Sequence, residues 1–479
     1  MKEIVESYFA HRSMVNHQLA SYDDCIPIGD GKGSRMESIV RGIRIGSDED
    51  LEDVPGGKEA GGMIKLDVLD KEIFIRMKGI RLGAPTVREA NGAEHPATPL
   101  ECRLRKLTYF SPIYMDFKIY RDDLPPSSTN SDIGFIEEEG VHIGNLPIMV
   151  RSGRCNLHPD HIAGTQEKSL KLSPTTSAED ALRHKELLRK SGEDPLDPGG
   201  YFIINGTERV LISMEDLAPN RVTVEKNKKY AHETEVAKIF SQKDGVRKPI
   251  NVEKRRDGML MVKIPSAGTT AIPVVLLMRA LGMENDRDIF SAIAGPVEAM
   301  KYTVANLNDV KDNPEYGVDN TEEAMAWLEK KFAAGQQKEY RESRIQNLLD
   351  KELLPHLGSD ESVRTKKAIF LGRIVRQVLE MAITNRDPND KDHYANKRVR
   401  LAGDLMEDLF RVGVQGLARD LKYQLERHHN RKRELKINSC LRPDVLTSKI
   451  MHALATGNWV GGRSGVSQLL DRTTYLASL

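Results

Sequence analysis

The sequence contains 479 residues, enough for two to four domains. With 39% hydrophobic and 30% charged residues, its composition is that of an ordinary globular protein and excludes an intrinsically disordered chain. The 71 basic and 71 acidic residues leave no net charge, which counts against a stand-alone DNA-binding protein and leaves room only for local basic patches.

Cysteine usage and the terminal sequence indicate the compartment. Cys25, Cys102, Cys155 and Cys440 form no C-x-x-C pair, so we expect reduced, buried thiols rather than a zinc ribbon or a disulfide framework. No segment reaches the roughly 18 consecutive apolar residues of a membrane helix, and the N-terminus lacks the apolar run of a signal peptide. A cytoplasmic protein without membrane contact is therefore expected.

The N-terminal part of the chain predicts one helix followed by several strands. Helical spacing of apolar residues predicts a helix over 3–19, and a loop rich in Gly and Asp follows at 29–34. Strand-like runs are predicted at 62–68, 73–77, 107–110 and 113–120. In the last of these, apolar and polar positions alternate, as expected for a strand with one buried face.

The segment 201–212 carries the clearest local signal, a β-hairpin. Two β-rich runs flank Asn205-Gly206, a pair that supplies both positive φ angles of a type I′ turn. The same two residues and Thr207 form a glycosylation sequon. Without a secretion signal that sequon is inert, so the hairpin is the favoured interpretation.

Residues 222–395 resemble a separate mixed unit that begins with strands and ends with helices. One helix is predicted by the apolar stripe of Leu371, Val375, Val378 and Leu379, and the segment 385–393 then breaks it. A long amphipathic helix is predicted next. Its apolar positions are Leu401, Leu405, Leu409, Val412, Leu417, Leu421 and Leu425.

The segment from Asn396 to Arg463 is basic, with fourteen Lys and Arg residues against seven Asp and Glu. The densest part is 427–433, which contains three arginines, one lysine and two histidines. A solvated helix end is the commoner explanation of such a run, and a nucleic-acid-binding face is the sharper alternative.

Several enzyme classes are excluded by spacing. Lys32 is followed by Gly33, where a P-loop requires Ser or Thr, and His232-Glu233 does not extend to H-E-x-x-H. The segment 462–465 lacks the G-x-S-x-G spacing of a nucleophile elbow. An independent nucleotidyltransferase would need several carboxylates that converge on one site. The sequence offers one cluster of carboxylates that has to be considered for this role.

That cluster is Asp387, Asp390 and Asp392. Two-metal phosphoryl transfer needs several carboxylates that converge on Mg²⁺ ions about 4 Å apart. Here the carboxylates are interleaved with basic residues, and no glycine allows the backbone to turn tightly around an ion. A capped, salt-bridged helix junction is the favoured interpretation over a metal site.

Four segments together resemble signatures of one family. The segments 199–212, 390–403 and 455–472, and more weakly 143–152, resemble the second-largest subunit of archaeal and eukaryotic RNA polymerases. The matches run in the family's order and cover nearly the whole chain. Some archaea encode this subunit as two polypeptides, and the chain is similar to the N-terminal one; a truncated piece of an undivided subunit would look the same.

The resemblance implies an α+β, multidomain fold. By analogy with the family, we expect a first protrusion segment at 1–221, an inserted lobe at 222–395, a second protrusion segment at 396–454 and the start of the fork at 455–479. The sequence stops at Leu479, inside the expected fork.

The resemblance also implies a role in transcription. It predicts a subunit of the multisubunit DNA-dependent RNA polymerase that forms one side of the DNA cleft and contacts the RNA–DNA hybrid. No catalytic residue and no metal ligand are expected in this chain, because the family's Mg²⁺ is held by the largest subunit. The isolated chain is therefore expected to be inactive. The implied partners are the C-terminal half of the second-largest subunit, the largest and the smaller polymerase subunits, the DNA template and the hybrid.

Four residues are candidates for nucleic-acid contact by this resemblance. Arg463, Gln468 and Arg472 are the main ones, and glycines around Arg463 would let its backbone approach phosphates closely. A merely flexible loop is the alternative there. Arg209, after the hairpin turn, is a weaker candidate that a surface salt bridge would explain equally well. A pure scaffold role for the chain is the competing hypothesis, and it predicts no direct contact from Arg463 or Gln468.

Overall fold

The computed structural model describes residues 14–28, 33–46, 62–66, 73–121, 134–162, 178–229, 232–243, 245–265, 268, 270–335, 337–384 and 386–478. The chain forms two compact units, the first made of Met1–Met214 and Val399–Leu479 and the second of Glu215–Arg398. Both mix sheets with helices, in line with the expected α+β class. Most of the predicted helix at 3–19 and of the loop at 29–34 lies outside the described residues.

A five-stranded sheet organises the first unit, in the order β1-β2-β3-β6-β7. Its strands are β1 (Arg44–Ile45), β2 (Gly62–Lys65), β3 (Ile73–Leu82), β6 (Phe110–Arg121) and β7 (Gly134–Pro147), with β4 (Thr86–Arg88) and β5 (Glu94–Pro96) as a separate antiparallel pair. β1 and β2 are parallel and the other neighbours antiparallel. Burial alternates along β6, which confirms the predicted half-buried strand. The strand predicted at 107–110 is wrong except for Phe110.

Helices cover this sheet and extend the core of the first unit. They are α1 (Asn16–Cys25), α2 (Arg35–Arg41), α3 (Pro99–Leu104), α4 (Pro159–Ile162), α5 (Ala178–Lys190), α12 (Ala402–Asn430), α13 (Ile437–Cys440), α14 (Asp444–Thr456) and α15 (Tyr475–Ser478). All four cysteines lie buried in this unit as free thiols, as predicted. Among the described residues of the chain, each helix is too short or too polar to cross a membrane.

The helix α12 is the long amphipathic helix predicted from the sequence. Its leucines from Leu405 to Leu425 are buried, but Val412 is 36% exposed, so its placement on the apolar stripe was wrong. The buried stripe passes instead through Gly413 and Val414. A Cβ on Gly413 would lie 2.6 Å from Leu446, because α12 and α14 approach closely at this point.

The second unit begins with a five-stranded antiparallel sheet and continues with helices. The strands are β11 (Val222–Lys229), β12 (His232–Lys243), β13 (Val246–Lys254), β14 (Leu260–Lys263) and β15 (Ile272–Pro273). The helices are α6 (Val274–Ala280), α7 (Asp286–Ile293), α8 (Val297–Asp312), α9 (Thr321–Phe332), α10 (Lys338–Asn347) and α11 (Arg364–Thr384), with a π-helical turn at Leu348–Glu352. The predicted stripe of α11 is buried, and the helix ends at Thr384, before the predicted break.

The chain passes between the units twice, at β10 (Met214–Leu217) and at β16 (Lys397–Arg400). These two strands form a two-stranded sheet. Just inside the second unit, the backbone N–H of Ala218 donates a hydrogen bond to the carbonyl of Asn396 at 2.8 Å. The first and last residues of the inserted unit therefore lie side by side.

Candidate nucleic-acid interface

The predicted hairpin at 201–212 is confirmed. It consists of β8 (Phe202–Ile204) and β9 (Thr207–Leu211), joined by Asn205 at φ 51° and Gly206 at φ 77°. Both φ angles are positive, as a type I′ turn requires. A Cβ on Gly206 would lie 2.7 Å from the Cα of Lys106, so a glycine is needed here for close approach as well.

A third strand, β17 (Ser467–Leu469), pairs with β9 across more than 250 residues of sequence. The three strands form a sheet in the order β17-β9-β8. In the β17–β9 register, Gln468 lies opposite Val210, and Leu469 lies opposite Arg209. The fold thus brings the candidates Arg209 and Gln468 onto neighbouring strands.

The two candidates nevertheless lie on opposite faces of this sheet, because directly paired residues share a face and successive residues alternate. Gln468 shares its face with Val210 and Glu208, and its side chain is exposed. Arg209 shares the other face with Leu469 and the buried Leu211. The Nε of Arg209 is buried, and it has no hydrogen-bond partner among the residues that the structure describes.

Arg463 closes a tight loop at the end of α14. The backbone N–H of Trp459 donates to the carbonyl of Arg463 at 2.7 Å, and the indole Nε1 donates to the carbonyl of Leu405 in α12 at 2.9 Å. Between Trp459 and Arg463, the backbone of Gly461 and Gly462 has φ angles of 83° and 74°, a region that favours glycine. The buried Trp459 therefore fixes the base of the loop, and the half-buried Arg463 lies beside a glycine turn that is open to solvent.

Arg472, the fourth candidate, has partners inside the chain. Its Nε and Nη2 donate to the two carboxylate oxygens of Glu208 at 2.8 and 3.0 Å. Its guanidinium also lies 5.0 Å from the ring centroid of Tyr201 and 3.5 Å from Asp197. A bidentate, stacked pair of this kind holds the guanidinium in one place, although 42% of the side chain remains exposed.

Around this pair lies a network that we call the Tyr201 cluster, defined by Tyr201, Arg103, Glu193, Asp197, Glu208 and Arg472. Arg103 donates to Glu208 at 2.8 Å, to Glu193 at 3.1 Å and to the Tyr201 hydroxyl at 2.6 Å. The Tyr201 hydroxyl donates in turn to Asp197.

Arg103 is positioned by the short helix α3. The Thr98 hydroxyl caps that helix by accepting from the N–H of Glu101 at 3.2 Å, and Pro99 occupies the first turn. The first turn of α3 also contacts the Tyr201 cluster, since the backbone N–H of Leu100 donates to the Glu193 carboxylate at 2.6 Å.

Burial and the neighbouring positive charges shift the pKa of the Glu208 carboxyl in opposite directions. Burial alone would raise the pKa of the Glu208 carboxyl, but hydrogen bonds and positive charge from Arg472 and Arg103 outweigh it and lower that pKa below its usual value. At neutral pH the carboxylate is ionised between two guanidinium groups. The cluster therefore ties β9, α3 and the segment after β17 together electrostatically.

Sequence reasoning did not find Arg103, Glu193 and Asp197. Arg103 and Glu208 are 105 positions apart, and their spacing carries no motif. The one available signal was composition: three acids close to the hairpin, at Glu193, Asp197 and Glu208, call for cations.

The carboxylate cluster at Asp387, Asp390 and Asp392 forms a loop rather than a convergent site. Asp390 accepts from the backbone N–H of Asp392 at 2.8 Å, Asp392 lies 3.7 Å from Lys397, and Lys391 pairs with Glu225. This matches the predicted salt-bridged junction after a helix.

Elsewhere, one group of potential ligands lies within metal-binding distance among the described residues, namely Glu89, His95 and Glu101. Arg105 donates to both of its carboxylates at 2.6 Å, so part of the negative charge there is already balanced inside the chain.

Comparison with known proteins identifies the family to which the chain belongs. Residues 13–171 match the family model "RNA polymerase beta subunit", and residues 218–400 match "RNA polymerase Rpb2, domain 2". The chain is 40% identical to DNA-directed RNA polymerase subunit Rpo2N of Halobacterium salinarum, over 100% of this chain and 82% of that protein. The chain belongs to the second-largest-subunit family of RNA polymerases.

Further relatives define which part of that subunit this is. Rpo2N of Methanocaldococcus jannaschii is 38% identical and is covered over 84% of its length. The undivided Rpo2 of Saccharolobus solfataricus is also 38% identical, but the match covers only 37% of it. The chain thus corresponds to the N-terminal portion of an archaeal second-largest subunit and is similar over its whole length to the separate Rpo2N subunits. It is a subunit of RNA polymerase, a nucleotidyltransferase complex, as the sequence resemblance predicted.

Proposed function

We propose that this second-largest-subunit half forms one side of the DNA cleft of RNA polymerase and contacts the RNA–DNA hybrid through the loop at Arg463 and the strand β17. The observation that carries the proposal is the β17–β9 pairing, which places Gln468 and Arg209 on neighbouring strands of one small sheet, with the Arg463 loop just before β17 in the chain. Phosphoryl transfer depends on holding template, primer end and nucleotide in line, and a rigid contact surface contributes to that alignment.

The proposed contacts differ in kind. Arg463 offers a cation beside a solvent-open glycine turn, where a phosphate can come close to the backbone. Gln468 has an exposed amide whose Nε2 donates to the carbonyl of Gly465 at 3.1 Å and retains further hydrogen-bonding capacity. Arg209 is the weakest of the three, because the residue is half-buried and its Nε is buried, so only the outer part of its guanidinium can meet a phosphate or a partner chain.

The catalytic Mg²⁺ is proposed to lie in the largest subunit. The chain's own carboxylates favour this, because Glu89 and Glu101 share the guanidinium of Arg105, and Asp390 and Asp392 form local loop contacts. The isolated chain is therefore expected to synthesise no RNA.

The C-terminal half of the subunit is proposed to dock against the end of this chain. Leu469, Tyr475 and Leu476 are 63%, 58% and 81% exposed, a concentration of large apolar side chains that a partner would cover. The protrusion at 1–221 and 396–454, the lobe at 222–395 and the fork from 455 remain proposed names for these regions. We propose action in the cytoplasm of an archaeal cell.

A scaffold role is the second candidate function, and the Tyr201 cluster favours it. Arg472 already has Glu208 as a bidentate partner, so it stabilises the fold whether or not nucleic acid is present. In that case the fork segment would order the C-terminal partner rather than touch the hybrid.

The test is the lifetime of elongation complexes made with reconstituted polymerase. Arg463→Ala and Gln468→Ala, made separately, are expected to shorten that lifetime at moderate salt by about tenfold, the loss of one to two charge-assisted contacts. Arg287→Ala, which removes an exposed cation from the second unit, is the matched control and should have no effect.

Subunit assembly is measured in parallel by gel filtration. If the complexes assemble normally and both variants keep the wild-type lifetime, direct hybrid contact is wrong and the scaffold role stands. If assembly itself is lost, the docking function is the one that these residues serve.

A further inference from the structure

The solvent face of helix α12 carries a row of basic side chains that the proposed hybrid contacts do not use. Arg419, Tyr423, Arg427 and Arg431 are spaced four residues apart and are all exposed. Because each step of four residues turns by about 40° around the helix axis, they form a gently spiralling strip, in which Tyr423 is the uncharged member. The row continues into Lys432 and Arg433, which follow the helix and are exposed as well. We call residues 419–433 on this face the basic row.

The cations of the basic row differ from other cations of the same helix in their surroundings. On other faces of α12, Arg411 pairs with Glu407 at 2.8 Å and Lys422 pairs with Glu426 at 3.8 Å. By contrast, the structure forms no ion pair between the basic row and any residue that it describes. Like charges on neighbouring turns repel each other, so the cations of the row do not stabilise one another.

The turn that ends the helix holds these cations in a defined geometry. The N–H groups of Lys432 and Arg433 donate to the carbonyls of His429 and His428 at 2.8 and 3.0 Å. Lys432 has φ 55°, a conformation that glycine or asparagine adopts more easily than lysine. A lysine at this position is therefore poorly explained by the backbone and is better explained by its charge.

The helix dipole accounts for only part of the row. Cations in the last turn of a helix interact favourably with its C-terminal carbonyls, which covers Arg427 and Arg431. Arg419 lies three turns from the helix end, and Lys432 and Arg433 lie beyond it. A binding partner with regularly spaced negative charge explains the whole row.

We infer that the basic row binds the phosphate backbone of duplex DNA. At about 1.5 Å of rise per residue, the cations from Arg419 to Arg431 extend over about 18 Å of the helix, a length over which a stiff duplex presents several phosphates. Single-stranded nucleic acid is bound mainly by several stacked aromatic side chains, and the row has one aromatic residue, Tyr423. The inference goes beyond the proposed function, because it concerns a different surface and a duplex rather than the hybrid.

The experiment compares two variants of the full chain in reconstituted polymerase that carry the same loss of charge. The first replaces Arg427, Arg431 and Arg433 by Gln and Lys432 by Asn, which tolerates the positive φ. The matched control removes four exposed cations that lie on separate helices of the second unit. These are Arg287, Lys301, Lys330 and Lys366, each replaced by Gln.

Binding of a short duplex DNA without RNA is measured as salt rises from about 50 to 200 mM. For the first variant, we expect at least about tenfold weaker binding and a slope of log K against log salt that is shallower by about 2 to 4, since each phosphate contact contributes about 0.9. In the control variant, the slope should change by less than half as much as in the first variant. A further variant, Arg427→Lys with Arg431→Lys and Arg433→Lys, should keep most of the affinity, because phosphate contacts depend mainly on charge.

Three results would overturn the inference. Equal losses in the first variant and the control would mean that only net charge matters. A loss confined to a single-stranded RNA of equal length would assign the row to that ligand. Unchanged duplex and RNA binding, with a polymerase subunit lost on purification, would assign it to an acidic protein. Because the DNA carries no hybrid, each of these outcomes leaves the test of Arg463 and Gln468 unaffected.

Discussion

The arginines of the Tyr201 cluster and those of the basic row lie in the same unit but have opposite surroundings. Arg472 and Arg103 share the carboxylate of Glu208 and are partly buried. Arg427 and Arg431 are exposed and form no ion pair with a described residue. A cation that already has a fitted acid mainly stabilises the protein, whereas a row of unmatched cations is available to a polyanion. Charge counted along a sequence does not separate these two cases.

The largest effect on stability is expected at the centre of the Tyr201 cluster. Glu208→Gln leaves two half-buried guanidinium groups without the carboxylate between them, so we expect a loss of about 2 to 3 kcal/mol in the free energy of unfolding. Urea unfolding of the full chain measures it. Glu434→Gln, which breaks an exposed pair with Lys436, is the control and should cost less than about 0.5 kcal/mol.

The same substitution predicts a pH dependence. Because the folded-state pKa of Glu208 is lowered, its stabilising contribution is present above the unfolded pKa of about 4.3 and is lost as the pH falls through the lower folded value. The stability difference between wild type and Glu208→Gln should therefore shrink in acid. A difference that stays constant down to about pH 3 would contradict the paired-charge interpretation of the cluster.

A half-buried acid that forms no ion pair with a described residue sharpens the contrast from the other side. Asp23 accepts a hydrogen bond from the N–H of Gly153 at 2.9 Å, and burial raises its pKa to about 6. Its ionised form is therefore unfavourable in the fold, and stability is lost as the pH rises from about 4 to 6. Asp23→Asn keeps the acceptor and should stabilise the protein at pH 7 by on the order of 2 kcal/mol.

Thermal unfolding at pH 7 and at pH 4 checks this substitution. The gain should be present at pH 7 and nearly absent at pH 4, where Asp23 itself is largely protonated in the folded protein. A destabilised variant at pH 7 would show that Asp23 has a favourable charge partner after all.

The smallest effect on stability is expected from the basic row. Replacing Arg427, Arg431 and Arg433 by Gln removes no ion pair to a described residue, so the free energy of unfolding should change by less than about 0.5 kcal/mol. Urea unfolding beside the Glu208→Gln variant makes the comparison direct. A loss as large as that of Glu208→Gln would remove the distinction between the two groups of arginines.

Local patterns in the sequence were sufficient for several elements. The hairpin at Asn205-Gly206 follows from two residues that accept positive φ, and α12 follows from its leucine spacing. Val412 was misplaced because it falls at the edge of the apolar stripe, where Gly413 allows α14 to come close and moves the contact to the next residue. Close backbone approach of this kind depends on the partner helix and has no local signal.

The candidate site was predictable only in part. Family resemblance selected Arg463, Gln468, Arg472 and Arg209, but the internal partner of Arg472 depends on a strand pairing across more than 250 residues. The opposite facing of Arg209 and Gln468 depends on the same register, which one residue of slippage would reverse. Pairing register between distant strands is set by tertiary packing, so spacing along the chain could not supply it.

The adjacent ends of the inserted unit have a consequence for how this subunit can change. Because Ala218 and Asn396 are joined by a backbone hydrogen bond, the host chain crosses a very short gap where the insert leaves and returns. A short linker across that gap would cost little loop-closure entropy, whatever the length of the segment it replaces. We therefore expect that insertions, deletions or exchanges of the whole segment are compatible with closure of the host chain at this point.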